Sequence, residues 1–348
     1  MISVCIITKN ETAKLERCLA SFQPYPFEIV VVDTGSTDNS KEIAKSYTEH
    51  VYDFEWCDDF SAVRNYCASK ASNDSILVVD SDEYICDIDS YKLNTYCYKH
   101  PFEVGSIKIM NKMAGDTEQH VTAYVPRIYN RKYFHFEGKV HEQIVSLNNT
   151  KIERYHALIT LHHDGYAYTG EKKKQKFERN VKILEKCIEA GENLLYNYYQ
   201  LGKTYFLDYQ FENAIPYFEK ALSSTSSSNS EFIFDCMESY GYSLLYSGQA
   251  KTALQLKYVY DEFKSSADFV FLMGLIYLET KQYSLALDEF KKVLTYSKSK
   301  VSGITTYLAN YRCGNVLELI GDVETAKTYY KKCGDFAPAK EALERLSQ

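Results

Sequence analysis

The residues Asp80-Ser81-Asp82-Glu83 concentrate the chemistry of this 348-residue chain. They directly follow the apolar run Ile76-Leu77-Val78-Val79, which reads as a short buried strand. Two carboxylates one residue apart, at the carboxyl end of a strand, stand where open α/β sheets hold their ligands. Hard oxygen donors of this kind suit Mg²⁺ or Mn²⁺, which in turn bind phosphates. A polar strand-to-loop turn carries the same Asp-x-Asp spelling, so the motif takes its meaning from its company. All eight histidines lie between His50 and His163, and imidazole is a common catalytic and metal-binding group. That distribution places chemistry in the first half and scaffold in the second.

The elements that must position these residues alternate in type. Ser3 to Thr8 reads as a strand, and Leu15, Cys18 and Leu19 give Thr12 to Ser21 helical spacing. Glu28 to Val32 is a second strand ending in Asp33, and Thr34 to Ser40 is a turn rich in helix-capping residues. A third strand near Val51 and a helix from Phe60 to Ala71 precede the Ile76 strand. Such alternation implies an α/β domain, a mostly parallel sheet with helices on both faces. No Gly-x-Gly-x-x-Gly or Walker loop occurs, which argues against dinucleotide and P-loop ATP sites.

Composition narrows the partners. A net charge of −7, with no basic block beyond Lys172-Lys173-Lys174, argues against nucleic acid. No apolar run approaches the roughly 18 residues of a transmembrane segment. Met1 to Ile7 lacks a basic n-region and a cleavage site, so it reads as a strand and not a signal peptide. Ten cysteines without a Cys-x-x-Cys pair read as reduced, mostly buried thiols, and a cytoplasmic location follows.

The second half is a repeat array. Gly202, Gly241, Gly274 and Gly314 are each followed twelve residues later by an alanine: Ala214, Ala253, Ala286 and Ala326. Antiparallel helices need small residues where backbones approach and large ones beside them. Phe218 and Phe290 supply the large ones in the first and third units, whereas Lys257 and Tyr330 stand at that position in the second and fourth. The glycines are 39, 33 and 40 residues apart. A period of about 34 residues with two insertions in polar loops accounts for this, and the array resembles tetratricopeptide repeats. Such a solenoid offers a groove for a peptide or protein. Packing against the first domain or forming a homodimer are the plainer uses. Phe177, Val181, Leu184 and Ile188 mark a joining helix between the halves. The expected domains are therefore 1–170, a joining helix at 171–194, and about four repeats at 195–348.

Several segments in fixed order carry a further resemblance. They are CIITKNE (Cys5 to Glu11), VVVDTGSTDNS (Val30 to Ser40), DDFSAVRN (Asp58 to Asn65), VVDSDE (Val78 to Glu83), FHFEGKVHEQI (Phe134 to Ile144), HHDGY (His162 to Tyr166) and KFERN (Lys176 to Asn180). Together they resemble the family 2 inverting glycosyltransferases of the GT-A fold. With tetratricopeptide repeats behind them they are similar to the branch that includes the bacteriocin (sublancin-type) S-glycosyltransferases and many surface-glycan transferases.

The resemblance implies a role for each matching position. Asp33 would accept the uracil N–H, with Thr8, Asn10 and Glu11 around the base and ribose. A helix-capping or turn aspartate is the alternative for Asp33. Asp80 would contact the ribose or the hydration shell of the metal, and Asp82 would bind Mg²⁺ or Mn²⁺ bridging the diphosphate. Arg64, with Asn65 beside it, would add positive charge there, though a surface ion pair also fits Arg64. Inverting transfer needs a carboxylate or imidazole to deprotonate the acceptor, and the candidates are His141 and Glu142. The resemblance favours Glu142 as base, with His141 orienting it; a hydrogen-bonded core histidine is the other reading of His141. His163 matches a histidine near metal and diphosphate, and in a strand only one of His162 and His163 can face the site.

The function so implied is a metal-dependent, non-processive transferase moving one sugar from a UDP-sugar to Cys, Ser or Thr of a peptide or protein held by the repeats. The Gln-x-x-Arg-Trp motif of processive synthases is absent, and the single tryptophan, Trp56, lies elsewhere. The rivals are the same chemistry on a cell-surface or lipid-linked glycan, a non-catalytic tetratricopeptide adaptor, and a hydrolase or nucleotidyltransferase on a similar sheet.

Overall fold

The computed structural model describes residues 1–112, 120–163, 170–223 and 231–347. Two compact units, Met1–Ile183 and Leu184–Gln348, divide the chain.

The first unit runs β1 (Ile2–Thr8), α1 (Thr12–Phe22), β2 (Glu28–Asp33), α2 (Ser40–Tyr47), β3 (Val51–Asp53), α3 (Phe60–Lys70), β4 (Ser75–Asp80) and β5 (Glu83–Ile88). It continues with α4 (Ser90–Lys99), β6 (Glu103–Lys112), β7 (His120–Asn130), β8 (Phe134–Glu137), β9 (Gln143–Ser146) and β10 (Glu153–His163). The described strands form a main sheet of order β3-β2-β1-β4-β7-β6-β10-β5 and a small β8-β9 sheet. β1 pairs in parallel with both β2 and β4, so the winding reverses between β1 and β4. A crevice opens beyond the strand ends at such a switch point. The far half is mixed: β7 runs antiparallel to β4 and β6, and β10 pairs in parallel with β6 but antiparallel with β5.

Strand alternation builds two cores, one on each face of the sheet. Ile2, Val4 and Ile6 of β1 pack with Leu15, Leu19 and Phe22 of α1 and Leu93 of α4. Cys5 points the other way, among Val63 and Cys67 of α3, Val30 and Val32 of β2, and Ile76 and Val78 of β4. Strands buried on both faces read as the continuous apolar runs seen in the sequence.

Helix α5 (Glu171–Glu189) spans the boundary of the two units and buries Ile183, Leu184 and Cys187. Lys172 to Lys174 lie in its first turn, and Lys174 sits 3.9 Å from Glu178, one turn on.

The second unit is helical. It contains α6 (Leu194–Leu207), α7 (Phe211–Ser223), α8 (Glu231–Tyr246), α9 (Ala250–Ala253), a 3₁₀ stretch at Leu254–Val259, and α10 (Tyr260–Phe263). There follow α11 (Ala267–Glu279), α12 (Tyr283–Val293), a π turn at Ile304–Leu308, α13 (Ala309–Leu319), α14 (Val323–Lys331) and α15 (Ala337–Arg345). A Cβ placed on Gly202 of α6 would lie 2.8 Å from the Phe218 ring of α7, so the small-against-large pairing is literal contact. Gly314 meets Tyr330 in the same way, and the tyrosine is buried and serves as the large residue. In the second pair Lys257 takes no such part. Leu256 and Leu272 close on Gly241, and the second helix there breaks into α9, the 3₁₀ stretch and α10.

Candidate functional site

The ends of β1, β2 and β4 open onto a cleft of about 870 Å³ that also takes in His163, the Val140-His141-Glu142 loop and the first turns of α5. Thr8 and Asp33 are register partners at the ends of β1 and β2, and both are buried. Oδ1 of Asp33 accepts from the backbone N–H groups of Gly35 and Ser36, at 2.9 and 2.8 Å, and so fixes the turn that leads to α2. Its Oδ2 and the Thr8 hydroxyl are buried with no hydrogen-bond partner among the described residues. Unpaired buried polar atoms are costly in a folded protein, and these two belong to register partners at the edge of the cleft, which Thr8 lines.

Below the cleft runs a chain of buried charges. Arg64 of α3 donates from Nη2 to Oδ1 of Asp80 (2.8 Å) and from Nε to Oε1 of Glu142 (2.5 Å). Arg127 of β7 donates to Oδ2 of Asp80 (2.6 Å) and to Oε1 of Glu83 (3.1 Å). Glu83 closes the chain by accepting from the Asp80 backbone N–H at 2.9 Å. Burial presses the Asp80 carboxyl upward, but Arg127 and Arg64 outweigh it and hold the group well below the usual carboxylate range. Burial dominates at Glu83 and, with the Asp80 charge, lifts its carboxyl to about 7 against the pull of Arg127.

Asp82 stands apart from that chain. Its Oδ2 lies 3.5 Å from Nε2 of His163 and 3.7 Å from Nζ of Lys14. Burial lowers the affinity of His163 for its proton, yet the hydrogen bond and charge of Asp82, with Glu83 and Asp80 beyond, raise it above the usual histidine range. His162 points to the opposite face, stacked on Tyr84 at 5.2 Å. Among the described residues no group of three or more His, Cys, Asp or Glu side chains is placed to hold a metal. One carboxylate and one imidazole facing a cleft do fit Mg²⁺ or Mn²⁺, ions that keep waters and take phosphate oxygens as their remaining ligands.

The wall facing these strand ends is the loop between β8 and β9. Gly138 and His141 both take positive φ, 97° and 56°, so the loop folds back on itself. Helix α3 grips it three times. The Phe60 N–H donates to the Lys139 carbonyl at 2.8 Å, Arg64 holds Glu142, and the Asn65 carboxamide makes two hydrogen bonds to the backbone of Phe136. His141 is open to the cleft, and the surrounding protein lowers its pKa through lost hydration. Trp56 packs edge-on against Phe60 at 4.8 Å, and Arg179 of α5 lies over the same Phe60 ring at 5.0 Å.

Residues 3–150 match the glycosyl transferase family 2. The first unit is a family 2 glycosyltransferase domain. Behind the glycosyltransferase domain, residues 207–293 match the family of anaphase-promoting complex, cyclosome, subunit 3. The glycosyltransferase SunS of Bacillus subtilis is 25% identical over 244 residues, which is 66% of this chain and 55% of that protein. A TPR repeat-containing protein of Synechococcus elongatus is 43% identical over 82 residues, covering 24% of this chain and 20% of its own. The chain thus spans about half or less of the length of these curated relatives. The solved structure of S. aureus TarS 1–349 in complex with UDP-GlcNAc aligns at a TM-score of 0.38 and 17% identity, over 75% of this chain and 88% of that one.

Within the glycosyltransferase domain the sequence-marked residues fall into three groups. Thr8, Asp80, Asp82, Arg64, His141, Glu142 and His163 line the cleft, with Asp33 buried beside Thr8. Asn10 and Glu11 border it, but the Asn10 carboxamide oxygen is engaged by the Thr37 N–H at 2.7 Å, which ties the loop after β1 to the turn after β2. Asn65 is directed away from the cleft, since both atoms of its carboxamide bind Phe136. Arg127 and Glu83 complete the buried charges; Glu83 is named from sequence within the acidic run but given no role, and Arg127 is not singled out. A lone arginine in the run Tyr124-Val125-Pro126-Arg127-Ile128-Tyr129 is the signal that marks Arg127. The Gly165-Tyr166 context of His163 lies outside the described residues.

Proposed function

We propose that the chain is a metal-dependent, inverting, non-processive glycosyltransferase that moves one sugar from a UDP-sugar to a cysteine, serine or threonine of a peptide or protein. The observation that carries this reading is the pair of unsatisfied buried atoms, Thr8 Oγ1 and Asp33 Oδ2, at the carboxyl ends of β1 and β2, next to the switch point of a family 2 glycosyltransferase sheet. An acceptor oxygen and a hydroxyl fixed in register suit the N–H and carbonyl edge of a uracil.

Beyond the base, Asp82 and His163 would hold Mg²⁺ or Mn²⁺, which supplies positive charge for the departing diphosphate. Asp80, held on both oxygens by arginines, is fixed in place as an acceptor for donor hydroxyls. Glu142 stands on the facing wall as the general base. The acceptor S–H or O–H gives its proton to the Glu142 carboxylate as the sulfur or oxygen bonds to the anomeric carbon. The bond from that carbon to the diphosphate oxygen breaks on the opposite face, and UDP leaves with the electron pair. Helical repeats of this kind commonly offer a groove to an extended chain, which supports a peptide acceptor over a glycan. All ten cysteines are free thiols, eight of them buried, which supports a cytoplasmic setting.

The test is calorimetric titration of UDP into the wild type and the Asp82→Asn variant, with and without Mn²⁺. Metal-enhanced binding that disappears in the variant supports the donor site, and absence of UDP binding under every condition sinks it. A single hexose or N-acetylhexosamine mass shift on a peptide then tests the acceptor, and transfer confined to glycans overturns that part.

A further inference from the structure

The two guanidinium contacts of Arg64 both go to carboxylates, Asp80 below the donor side and Glu142 on the facing wall. The side chain is 7% exposed, and Nη1 is buried and has no hydrogen-bond partner among the described residues. A guanidinium arranged in this way bridges two fixed points, with two of its nitrogens already committed to carboxylates. Its neighbours on α3 serve the same loop, since Phe60 and Asn65 hold the backbone on the chain's near side of Glu142. That loop takes two positive-φ turns, so its path depends on outside contacts. The contact with Arg64 runs through Oε1 of Glu142 alone.

Resting on the donor and base assignments proposed above, we infer that Arg64 is a positioning residue that aims Glu142 at the acceptor and ties it to Asp80, and is not a ligand of the donor phosphates. Arg127 is the outer member of the same arrangement, because it holds the second oxygen of Asp80 and so fixes the anchor that Arg64 uses. The fork of an arginine can span two carboxylates, and a lysine at the same place meets one. A base displaced by about 1 Å loses roughly 100-fold in rate.

The experiment compares full-length wild type, Arg64→Lys, Glu142→Gln and the double variant. It measures UDP affinity with Mn²⁺ by calorimetry and UDP release from UDP-glucose and UDP-GlcNAc as turnover. The expected result is UDP affinity within about threefold of wild type in all four proteins, with turnover of Arg64→Lys lowered about 100-fold. The double variant is then no slower than Glu142→Gln, because both changes remove one function. A tenfold loss of UDP affinity in Arg64→Lys, or losses that multiply in the double variant, overturns the assignment of Arg64 while leaving the donor site standing. Failure of the wild type to bind UDP overturns the donor site and this inference together. If Arg64→Lys does not fold, the ¹⁵N resonance of the Arg64 Nε–H decides. It shifts on Glu142→Gln and stays in place on addition of UDP and diamagnetic Mg²⁺ if the inference holds, and does the reverse if it fails.

Discussion

Thr8 and Asp33 face each other in register across β1 and β2, and each leaves one buried oxygen without a partner. The fold carries this cost in the free protein, and a ligand that fills the gap recovers it. Replacing Thr8 by Val removes an unpaired hydroxyl at nearly constant volume. The expected outcome is a gain in stability on the order of 1 kcal/mol together with UDP binding weakened roughly 5- to 10-fold. Chemical denaturation and calorimetry on the same variant read the two effects. A destabilised variant with unchanged UDP affinity contradicts the ligand role of Thr8.

The contact between His163 and Asp82 sets a pH dependence. Because His163 holds its proton more tightly than an ordinary histidine, the ion pair stabilises the metal-free fold at acidic pH. That stabilisation is fully present below about 6.5, the usual histidine value, and fades as pH rises through the higher folded value. Metal coordination needs the neutral ring, so Mn²⁺-assisted UDP binding should strengthen over the same rise. Calorimetric titrations from pH 5.5 to 8.5 should show this trend in the wild type and a much flatter one in His163→Gln. Equal slopes in both proteins rule His163 out as the titrating ligand.

In the helical unit, Gly202→Ala places a methyl carbon 2.8 Å from the Phe218 ring, which is fully buried. Overpacking costs about 1–3 kcal/mol, and the better helix propensity of alanine recovers up to about 1 of it. A net loss of about 1–2 kcal/mol is expected in denaturant titrations. Adding Phe218→Leu should relieve the overlap, so that Gly202→Ala costs less in that background than in the wild type. The same cost in both backgrounds refutes the close-contact explanation.

The sequence displays what depends on local pattern. The buried strands, the carboxylates at their ends and the glycine–alanine pairs of the repeats all follow from spacing along the chain. Contacts between distant segments do not. Arg64 and Glu142 are 78 positions apart, and nothing in either neighbourhood announces their pairing. Arg127 comes from a strand on the far side of β4 and is joined to Asp80 by sheet topology alone. Asn65 shows the converse. Its place beside Arg64 suggested the donor, yet successive residues on a helix face different ways, and its amide is taken up by Phe136. The choice between His162 and His163 required the register of β10 against β5, which pairs His163 with Glu83 and His162 with Tyr84.

That register also imposes an order on biosynthesis. β5 leaves the ribosome directly after β4, yet in the finished sheet it lies at the edge, separated from β4 by β7, β6 and β10, and pairs with β10 alone among the described strands. At about 5–20 residues per second, roughly 4–16 s separate the translation of Asp82 from that of His163. For that interval the Asp82-Glu83 turn belongs to a strand with both edges open, the state most inviting to chaperones and to mispairing. The strand that ends the wait also brings His163 to Asp82, so the nascent chain acquires that cleft-side pair and the pairing of β5 in one event.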